Sequence, residues 1–455
     1  MNDPTDHSVP QSPIQYAGTT ETAPGEFPSN LDPARPLKSD WLRELCLNAG
    51  ADDVGFVQIE RPELDVDRDD IMLAAPWTKS LVSIVIRMNR ENIRSPLRSL
   101  ANVEFHASDD HVTEASRNIV RALEQHGVRA MHMAFGFPME ADRWPGKMWV
   151  VSHKLVAEAA GLGKIGIHRN VIHPKYGSFV FLGTVAIDRQ VESFDEPIDF
   201  NPCLTCKLCV AACPTGAIKP DGGFDFSACY THNYREFMGG FGDWVENIAD
   251  SRNARDYRRR VSDAETVSMW QSLSFESNYK AAYCLSVCPA GDEVIGPYLQ
   301  DKRSFKDEIV KPLTGKEETV YVVPESDAEN YVAKRFPHKT TKRIGNGLRS
   351  RSIAGFLRGL PLLFQREQAA GLDATYHFSF HGRETADATV VIRNKTLSVE
   401  TGHVGTPDLT VIADSETWLG FLAKEKSIIW SLLTRRIRIK GSLKRLIAFG
   451  KCFPS

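Results

Sequence analysis

Seven cysteines with regular spacing are the residues of this 455-residue chain that could do redox chemistry. Cys203, Cys206, Cys209 and Cys213 follow the pattern C-x2-C-x2-C-x3-C, and Pro214 comes next. This spacing is typical of a loop and helix start whose thiolates surround an iron–sulfur cubane. A disulfide framework does not cluster its cysteines so closely, and a zinc knuckle uses two separated pairs. The run therefore predicts a [4Fe–4S] cluster and one-electron chemistry.

A second cysteine group, downstream of the first, completes a two-cluster pattern. In two-cluster ferredoxins, the fourth cysteine of such a run ligates the other cluster. Buried apolar packing is the alternative for Cys284 and Cys288, and Pro289 after the second of them disfavours it. The crossed pattern predicts two ligand sets: Cys203, Cys206, Cys209 and Cys288 for a [4Fe–4S] cluster, and Cys213, Cys229 and Cys284 for the second cluster.

The second predicted set lacks one ligand. A full motif has a cysteine three residues before Cys284, where this chain has Ala281. Three arrangements stay open: a [3Fe–4S] cluster, a [4Fe–4S] cluster with a non-cysteine ligand such as His232 or Tyr283, or an iron with an open position. Cys46 and Cys452 lie outside both groups and are interpreted as lone structural thiols.

Composition narrows the class of protein. Hydrophobic residues make up 42% and charged residues 25% of the chain, which is ordinary for a globular protein of two or three domains. The net charge of −3 offers no argument for nucleic acid or for an anionic membrane, so we expect no nucleic-acid partner. No apolar run approaches the ~20 residues that span a bilayer. The polar N-terminus resembles no export signal, and we expect a cytoplasmic protein without a transmembrane segment.

Patterning divides the chain into an α/β region, a cluster region and a C-terminal α+β module. In the first region, periodicity predicts helices over 41–49 and 112–125 and strands over 81–86 and 179–186. The predicted domains are a disordered tail (1–36), the α/β domain (37–190), the iron–sulfur domain (191–297), a linker (298–350) and the C-terminal domain (351–455).

The last hundred residues carry no cysteine motif and no nucleophile arrangement. Alternation predicts strands over 376–380, 390–392, 397–399 and 409–412, and Asp414 or Ser415 is expected to cap a helix that turns Trp418 inward. We interpret this module as serving binding or assembly. Residues 428–451 mix bulky apolar and basic side chains, which suits either an anionic membrane surface or the closing helix and strand of the module. The second interpretation is preferred.

Longer segments carry a family resemblance. Residues 156–163 (VAEAAGLG), Gly166 with His168, residues 176–183 (YGSFVFLG) and the cysteine run with PTGAI resemble epoxyqueuosine reductase and its relatives, the reductive dehalogenases. The match covers about residues 40–297. Residues 350–455 resemble a sterol carrier protein domain through an initial helix, the Trp418-Leu419 helix and the closing Ile439-Lys-Gly441.

The first resemblance implies a nitroreductase-like α/β domain that binds a corrinoid (cobalamin), next to a ferredoxin-like domain whose two clusters reduce the cobalt. Glycines would allow a large planar ring to approach the backbone, and simple turns are the alternative. The residues expected near the cofactor are His153, Gly161, Gly163, Gly166, His168, Gly177, Ser178, Phe179 and Gly183.

One departure from the family concerns catalysis. Lys147 stands where epoxyqueuosine reductase has a catalytic aspartate, and it is a weak candidate for a proton donor. The sequence therefore favours a corrinoid-dependent iron–sulfur reductase that acts on an apolar, lipid- or sterol-like molecule and takes electrons from a donor such as a ferredoxin or flavodoxin. The alternative is a non-catalytic iron–sulfur electron-transfer protein with a lipid-binding domain.

Overall fold

The computed structural model describes residues 32, 35–144, 146–203 and 205–454, with Met238 described in its backbone only. Of the predicted disordered tail, all but residues 32, 35 and 36 lie outside the described residues. None of the helices in the described part of the chain combines the length and the apolar character that crossing a bilayer requires.

The first region is an α/β domain. Its elements are α1 (Ser39–Asn48), β1 (Asp53–Gln58), α2 (Asp65–Ala74), β2 (Ser80–Arg87), α3 (Arg90–Arg94), α4 (Arg98–Gln125), β3 (Ala130–His132), α5 (His153–Ala159), β4 (Lys164–Ile165), β5 (Val171–Ile172) and β6 (Val180–Ile187).

An antiparallel sheet in the order β1-β2-β6-β3 forms the centre of this domain. Helices cover both of its faces, so that β2 is buried on both sides, as its continuous apolar run predicts. Ile84 packs in the core that contains residues of α1 and α4, whereas Leu81 packs in the core that contains residues of α2 and α5. The four predicted elements of this domain are confirmed in type, with one difference in length. Helix α4 begins at Arg98, because its first half buries small and polar side chains such as Asn102 and Ser108 and has no continuous apolar stripe.

Short helices make up the cluster region and its insertion. They are α6 (Leu208–Ala212), α7 (Phe226–Asn233), α8 (Met238–Ala249), α9 (Ala254–Arg260), α10 (Asp263–Phe275) and α11 (Tyr283–Ser286).

The segment taken as a linker is folded. Residues 298–350 contain most of α12 (Gly296–Gln300), then α13 (Lys302–Phe305), a π-helical turn (Lys306–Val310), α14 (Lys311–Thr314), β7 (Thr319–Val322), α15 (Asp327–Arg335) and β8 (Thr340–Arg343). Strands β7 and β8 pair in parallel. Leu313 and Val320 are fully buried in one core with the cluster region. The apolar run at 320–323, which forms most of β7, is a strand pattern that the linker prediction overlooked.

The C-terminal module is a five-stranded sheet with helices. Its elements are α16 (Ile353–Leu363), β9 (Ala374–His381), β10 (Ala386–Arg393), β11 (Thr396–Thr401), β12 (Leu409–Asp414), α17 (Ser415–Leu422), α18 (Ile428–Leu433), β13 (Ile437–Gly441) and α19 (Leu443–Lys451). The strand order is β11-β10-β9-β12-β13, with β9 and β12 parallel. The predicted strands are confirmed, and Asp414 is the residue that caps α17. The β10–β11 turn falls at Asn394 and Lys395, both at positive φ.

Gln365 fixes the C-terminal module to the cluster region. Its side chain is buried, its Oε1 accepts a hydrogen bond from the Asp327 amide at 2.9 Å, and its Nε2 donates to Asp225 at 3.4 Å. Asp225 in turn caps α7, accepting from the Ala228 amide at 2.9 Å. The module is therefore anchored to the helix that carries Cys229.

Candidate iron–sulfur and cofactor site

One small cavity collects cysteines from both motifs. Cys203, Cys206, Cys209 and Cys288 all line it. The first three come from the loop and first turn that lead into α6, and Cys288 follows α11. These four cysteines are the set that the crossed pattern predicts for the first cluster.

A buried histidine nitrogen in the same cavity suits a cluster. His168 lines the cavity, and its Nδ1 accepts a hydrogen bond from the Asn170 amide at 3.2 Å. Burial, and then the charge of Lys154, lower the pKa of His168 to about 4, so its ring is neutral and carries its proton on Nε2. This Nε2 is buried without a hydrogen-bond partner among the described residues. A cluster sulfur is the kind of acceptor that such a donor requires.

The other three cysteines lie close together beside this cavity. Cys213 directly follows α6, Cys229 is on α7 and Cys284 is on α11, and all three belong to one core. Burial, and then the charge of Cys213, raise the pKa of Cys284 to about 12. Burial, and then the charge of Cys213, also raise the pKa of Cys229 well above its ordinary value. Thiols in such surroundings ionise when a metal takes the proton's place.

All seven candidate ligands are cysteine thiols, the ligand type that holds iron–sulfur clusters. Within the described ranges, no three His, Cys, Asp or Glu side chains converge closely enough to hold one metal ion. A cubane is wider than an ion and binds each thiolate at a different iron, so its ligands stand further apart. The donor set therefore fits iron–sulfur chemistry.

The position of the missing ligand is filled by polypeptide. Ala281 is buried, and its amide and that of Ala282 donate to Asn233 Oδ1 at 3.0 and 2.8 Å. Of the two suggested replacements, Tyr283 donates its hydroxyl hydrogen bond to Glu318 at 2.6 Å. His232 accepts from the Tyr321 amide through Nδ1, and its buried Nε2 has no partner among the described residues. Only His232 keeps an uncommitted ring nitrogen, but because its Nδ1 accepts a hydrogen bond, this Nε2 carries the proton of the neutral ring. Ligation would require the loss of that proton, and the role of His232 as a ligand stays a prediction.

Lys154 and Asn170 form a polar link to the second cysteine set that sequence reasoning missed. Lys154 Nζ donates to the Asn170 side-chain oxygen at 2.9 Å, and Asn170 Nδ2 donates to Cys284 Sγ at 3.9 Å. Burial lowers the pKa of Lys154 although its side chain is solvent-exposed, and Cys284 and Cys229 are its charged neighbours. A group that is accessible and yet surrounded by protein lies in a cleft. Both residues flank the motif segments that resemble the reductases, which was the available signal.

His153, beside Lys154 on α5, is fully hydrogen-bonded. Its Nε2 donates to the Ala134 carbonyl at 2.8 Å, and its Nδ1 accepts from the Thr184 hydroxyl at 2.8 Å. Burial also lowers its pKa. The ring is therefore a neutral imidazole with a fixed orientation, able to form one wall of the cleft but without a free nitrogen.

The predicted cofactor glycines lie against protein backbone and side chains. A Cβ on Gly177 would approach the Ala290 carbonyl to 1.9 Å, and one on Gly166 would meet Ile172 at 2.7 Å and Cys203 Sγ at 3.3 Å. A Cβ on Gly183 would meet Val112 at 2.8 Å. The Cβ of Gly161 would meet the Glu196 carbonyl, and that of Gly163 the Ile172 carbonyl. These glycines allow close packing, which at Gly166 and Gly177 is against the cysteine segments, and their role at a cofactor stays a prediction.

Ser178 and Phe179 also face the cluster region. The Ser178 hydroxyl donates to the Leu285 carbonyl at 3.1 Å. Phe179 is buried, with the Arg94 guanidinium 5.2 Å from its ring centroid. The structure thus gathers most of the predicted cofactor residues at the contact between the α/β domain and the cysteine segments.

Lys147 is held by two carboxylates. Its Nζ lies 2.7 Å from Asp67 and 2.7 Å from Asp70, and Asp67 is 1% exposed. Burial disfavours the charged amine, but the hydrogen bonds and charges of the two aspartates outweigh it and raise the pKa of Lys147. A proton-donating lysine needs the opposite shift. The catalytic role of Lys147 stays a prediction, and its pairing with the two aspartates disfavours that role.

Two family models match the chain. The 4Fe-4S binding domain matches residues 196–219, which include the four-cysteine run, and the SCP-2 sterol transfer family matches residues 362–453. The predicted [4Fe–4S] motif and sterol carrier-like module are confirmed by these matches.

Curated relatives of the chain are epoxyqueuosine reductases. That of Cellulophaga algicola is 36% identical over 103 residues, covering 21% of this chain and 33% of the relative. That of Gloeobacter violaceus is 28% identical over 175 residues, covering 37% of this chain and 50% of the relative. The chain thus resembles these reductases, as predicted, but spans only a third to a half of their length.

Solved structures show distant likeness. An epoxyqueuosine reductase with an epoxyqueuosine-modified tRNA stem loop is 19% identical, with a TM-score of 0.33 over 60% of this chain and 78% of that chain. A catabolic reductive dehalogenase in complex with 3-bromo-4-hydroxybenzoic acid is 17% identical, with a TM-score of 0.38 over 62% and 35%. TM-scores this low carry no argument about this chain.

Proposed function

We propose that this chain is a reductase in which two iron–sulfur clusters supply electrons to a corrinoid on the α/β domain. The observation that carries the proposal is the cavity shared by Cys203, Cys206, Cys209 and Cys288, because it unites two distant motifs as a crossed pair of clusters requires. The sequence likeness to epoxyqueuosine reductases supports the reductase class. A nitroreductase-like fold for the α/β domain belongs to the same proposal.

Named residues would serve each part of this centre. His168 Nε2 would donate to a sulfur of the first cluster, and Asn170 donates to Cys284 at the second. Lys154 and His153 would border the corrinoid in the cleft beside the second cysteine set. A bound corrinoid supplies a cobalt whose reduced states do the reductive chemistry, and low-potential clusters keep it reduced. The neutral, fixed ring of His153 would orient the cofactor without ligating the metal.

An apolar small molecule is the substrate that we propose. The match to the SCP-2 sterol transfer family supports a lipid- or sterol-like ligand for the C-terminal module. Because Gln365 anchors this module to the cluster region, such a ligand would be held at a high effective concentration near the redox centre. A ferredoxin or flavodoxin is the proposed electron donor. We expect this chain to bind no nucleic acid. One similar solved structure contains a tRNA stem loop, and binding of that stem loop to this chain would contradict the expectation.

Cobalt retention tests the proposal. The chain is purified anaerobically, incubated with cobalamin and passed through a desalting column. We expect about one cobalt per chain and a corrinoid spectrum that changes when the clusters are reduced. Replacement of Lys154 by Glu, which reverses the charge in the cleft, is expected to weaken retention, whereas Lys311→Glu on the surface is not. Intact clusters without cobalt would contradict the corrinoid part of the proposal.

A non-catalytic electron-transfer protein with a lipid-binding module is the second candidate. The paired state of Lys147 and the protein contacts that fill the space at Gly177 and Gly183 favour it. This candidate predicts two reducible clusters and lipid binding by the C-terminal module, but no retention of a corrinoid. The cobalt experiment separates the two candidates.

A further inference from the structure

Helix α18 of the C-terminal module exposes three large apolar side chains. Ile429 is 69%, Trp430 67% and Leu433 71% exposed. Two kinds of contact hold this helix in place. The Ser427 side chain caps its N-terminus by accepting a hydrogen bond from the Trp430 amide. On the opposite face, Ile428 and Leu432 pack against the core of the module. These three side chains thus form the outer face of an ordered helix.

Cations follow this apolar face directly. Arg435 and Arg436 form the turn after α18, and Arg438 and Lys440 lie on the edge strand β13. All four are exposed, and no described carboxylate lies within ion-pair distance of any of them. Residues 427–455 contain no Asp or Glu at all. By contrast, Arg259 on the helix α9 is paired with Asp256.

We propose that this face, defined by Ile429, Trp430, Leu433, Arg435, Arg436, Arg438 and Lys440, binds the surface of an anionic phospholipid bilayer. Aliphatic and Trp side chains enter the boundary between headgroups and acyl chains, while Arg and Lys contact lipid phosphates. The phosphates of a nucleic acid would also attract the cations, but they offer nothing to exposed Ile429 and Leu433. The net charge of −3 is a sum over the whole chain, so it gave no sign that cations are concentrated on this one surface.

Binding at this face goes beyond the proposed function and does not depend on it. Neither the cysteines nor the cleft at Lys154 contributes to the face. In a chain that reduces an apolar substrate, the contact would bring the sterol carrier-like module to a membrane from which such a molecule is drawn.

Vesicle co-sedimentation of the full chain tests the proposal. We expect binding to phosphatidylcholine vesicles that contain phosphatidylglycerol and much weaker binding to phosphatidylcholine alone. At about fivefold per cation, the variant Arg435→Gln/Arg436→Gln/Arg438→Gln is expected to bind about a hundredfold more weakly. The variant Ile429→Ser/Trp430→Ser/Leu433→Ser is expected to lose binding as well.

A matched control changes apolar side chains of similar exposure outside this face. Trp270 and Leu273 on α10 are 57% and 59% exposed, and Trp270→Ser/Leu273→Ser is expected to bind vesicles like the parent chain. Circular dichroism confirms that all variants remain folded. Equal binding of the parent and both triple variants would overturn the proposal, as would retention by a tRNA stem loop without binding to vesicles. Iron and cobalt content play no part in this readout, so its failure is distinct from failure of the proposed function.

Discussion

Asn170 Nδ2 donates a hydrogen bond to Cys284 Sγ across 3.9 Å, from the α/β domain to the cluster region. A hydrogen bond to a ligating sulfur stabilises the more negative, reduced cluster. We therefore predict that Asn170→Leu lowers the midpoint potential of the second cluster by an amount on the order of tens of millivolts. A redox titration followed by electron paramagnetic resonance measures the shift.

The first cluster is the internal control for Asn170→Leu. Its four expected cysteines line a separate cavity with His168, so its potential should stay unchanged. Removing that histidine, in His168→Leu, should lower the potential of the first cluster instead. Equal shifts of both clusters in either variant would mean that the two cysteine sets are assigned incorrectly.

Lys147 is predicted to stabilise the fold. In Lys147→Met, the buried Asp67 carboxylate would lose its cation and keep its hydrogen bond from the Ser152 amide. We expect the free energy of unfolding to fall by about 2 kcal/mol, seen as a lower midpoint of thermal unfolding. The control is Lys311→Met, which removes an exposed pair with Asp307 and should cost at most about 0.5 kcal/mol. A Lys147→Met chain as stable as its parent would contradict this account.

His232 is predicted to make stability depend on pH. Burial lowers the pKa of His232 to about 4, against an ordinary value of 6.5. Between pH 6.5 and 4, the unfolded chain therefore binds a proton at this ring and the folded chain does not. Protonation then stabilises the unfolded state, so the contribution of the neutral ring to the free energy of unfolding is lost as the pH falls from 6.5 toward 4. Between pH 7 and 5.5 this amounts to about 1 kcal/mol.

The variant His232→Gln isolates this contribution. Because glutamine does not titrate, the stability of the parent chain relative to the variant should fall by about 1 kcal/mol over that pH range. Thermal unfolding at a series of pH values measures it, with His381→Gln at an exposed position as the control. A difference between parent and variant that is constant with pH would show that His232 is not held neutral.

Cysteine spacing predicted the candidate site better than any other feature of the sequence. Ligand order in a cluster motif is fixed by local chain geometry, and the grouping of Cys288 with Cys203 follows from it. The long strands and the α17 cap were also predictable, because their apolar alternation and Asp414 act locally.

Most other contacts between distant segments were not predictable from the sequence. The link from Lys154 through Asn170 to Cys284 depends on how two domains meet. The same holds for Gly177, whose lack of a Cβ allows the close approach of the Ala290 carbonyl. Residues 298–350 looked like a polar connection because of their many charged residues, although apolar residues such as Leu313 share one core with the cluster region.

Iron and sulfide analysis of the anaerobically purified chain, with single cysteine replacements, tests the central claim most directly. We predict about seven or eight irons in the parent chain, depending on the second cluster. Cys288→Ser should remove the same cluster signal as Cys206→Ser, and Cys284→Ser should remove the other. An iron-free parent chain, or Cys288→Ser with both cluster signals intact, would contradict the crossed two-cluster centre.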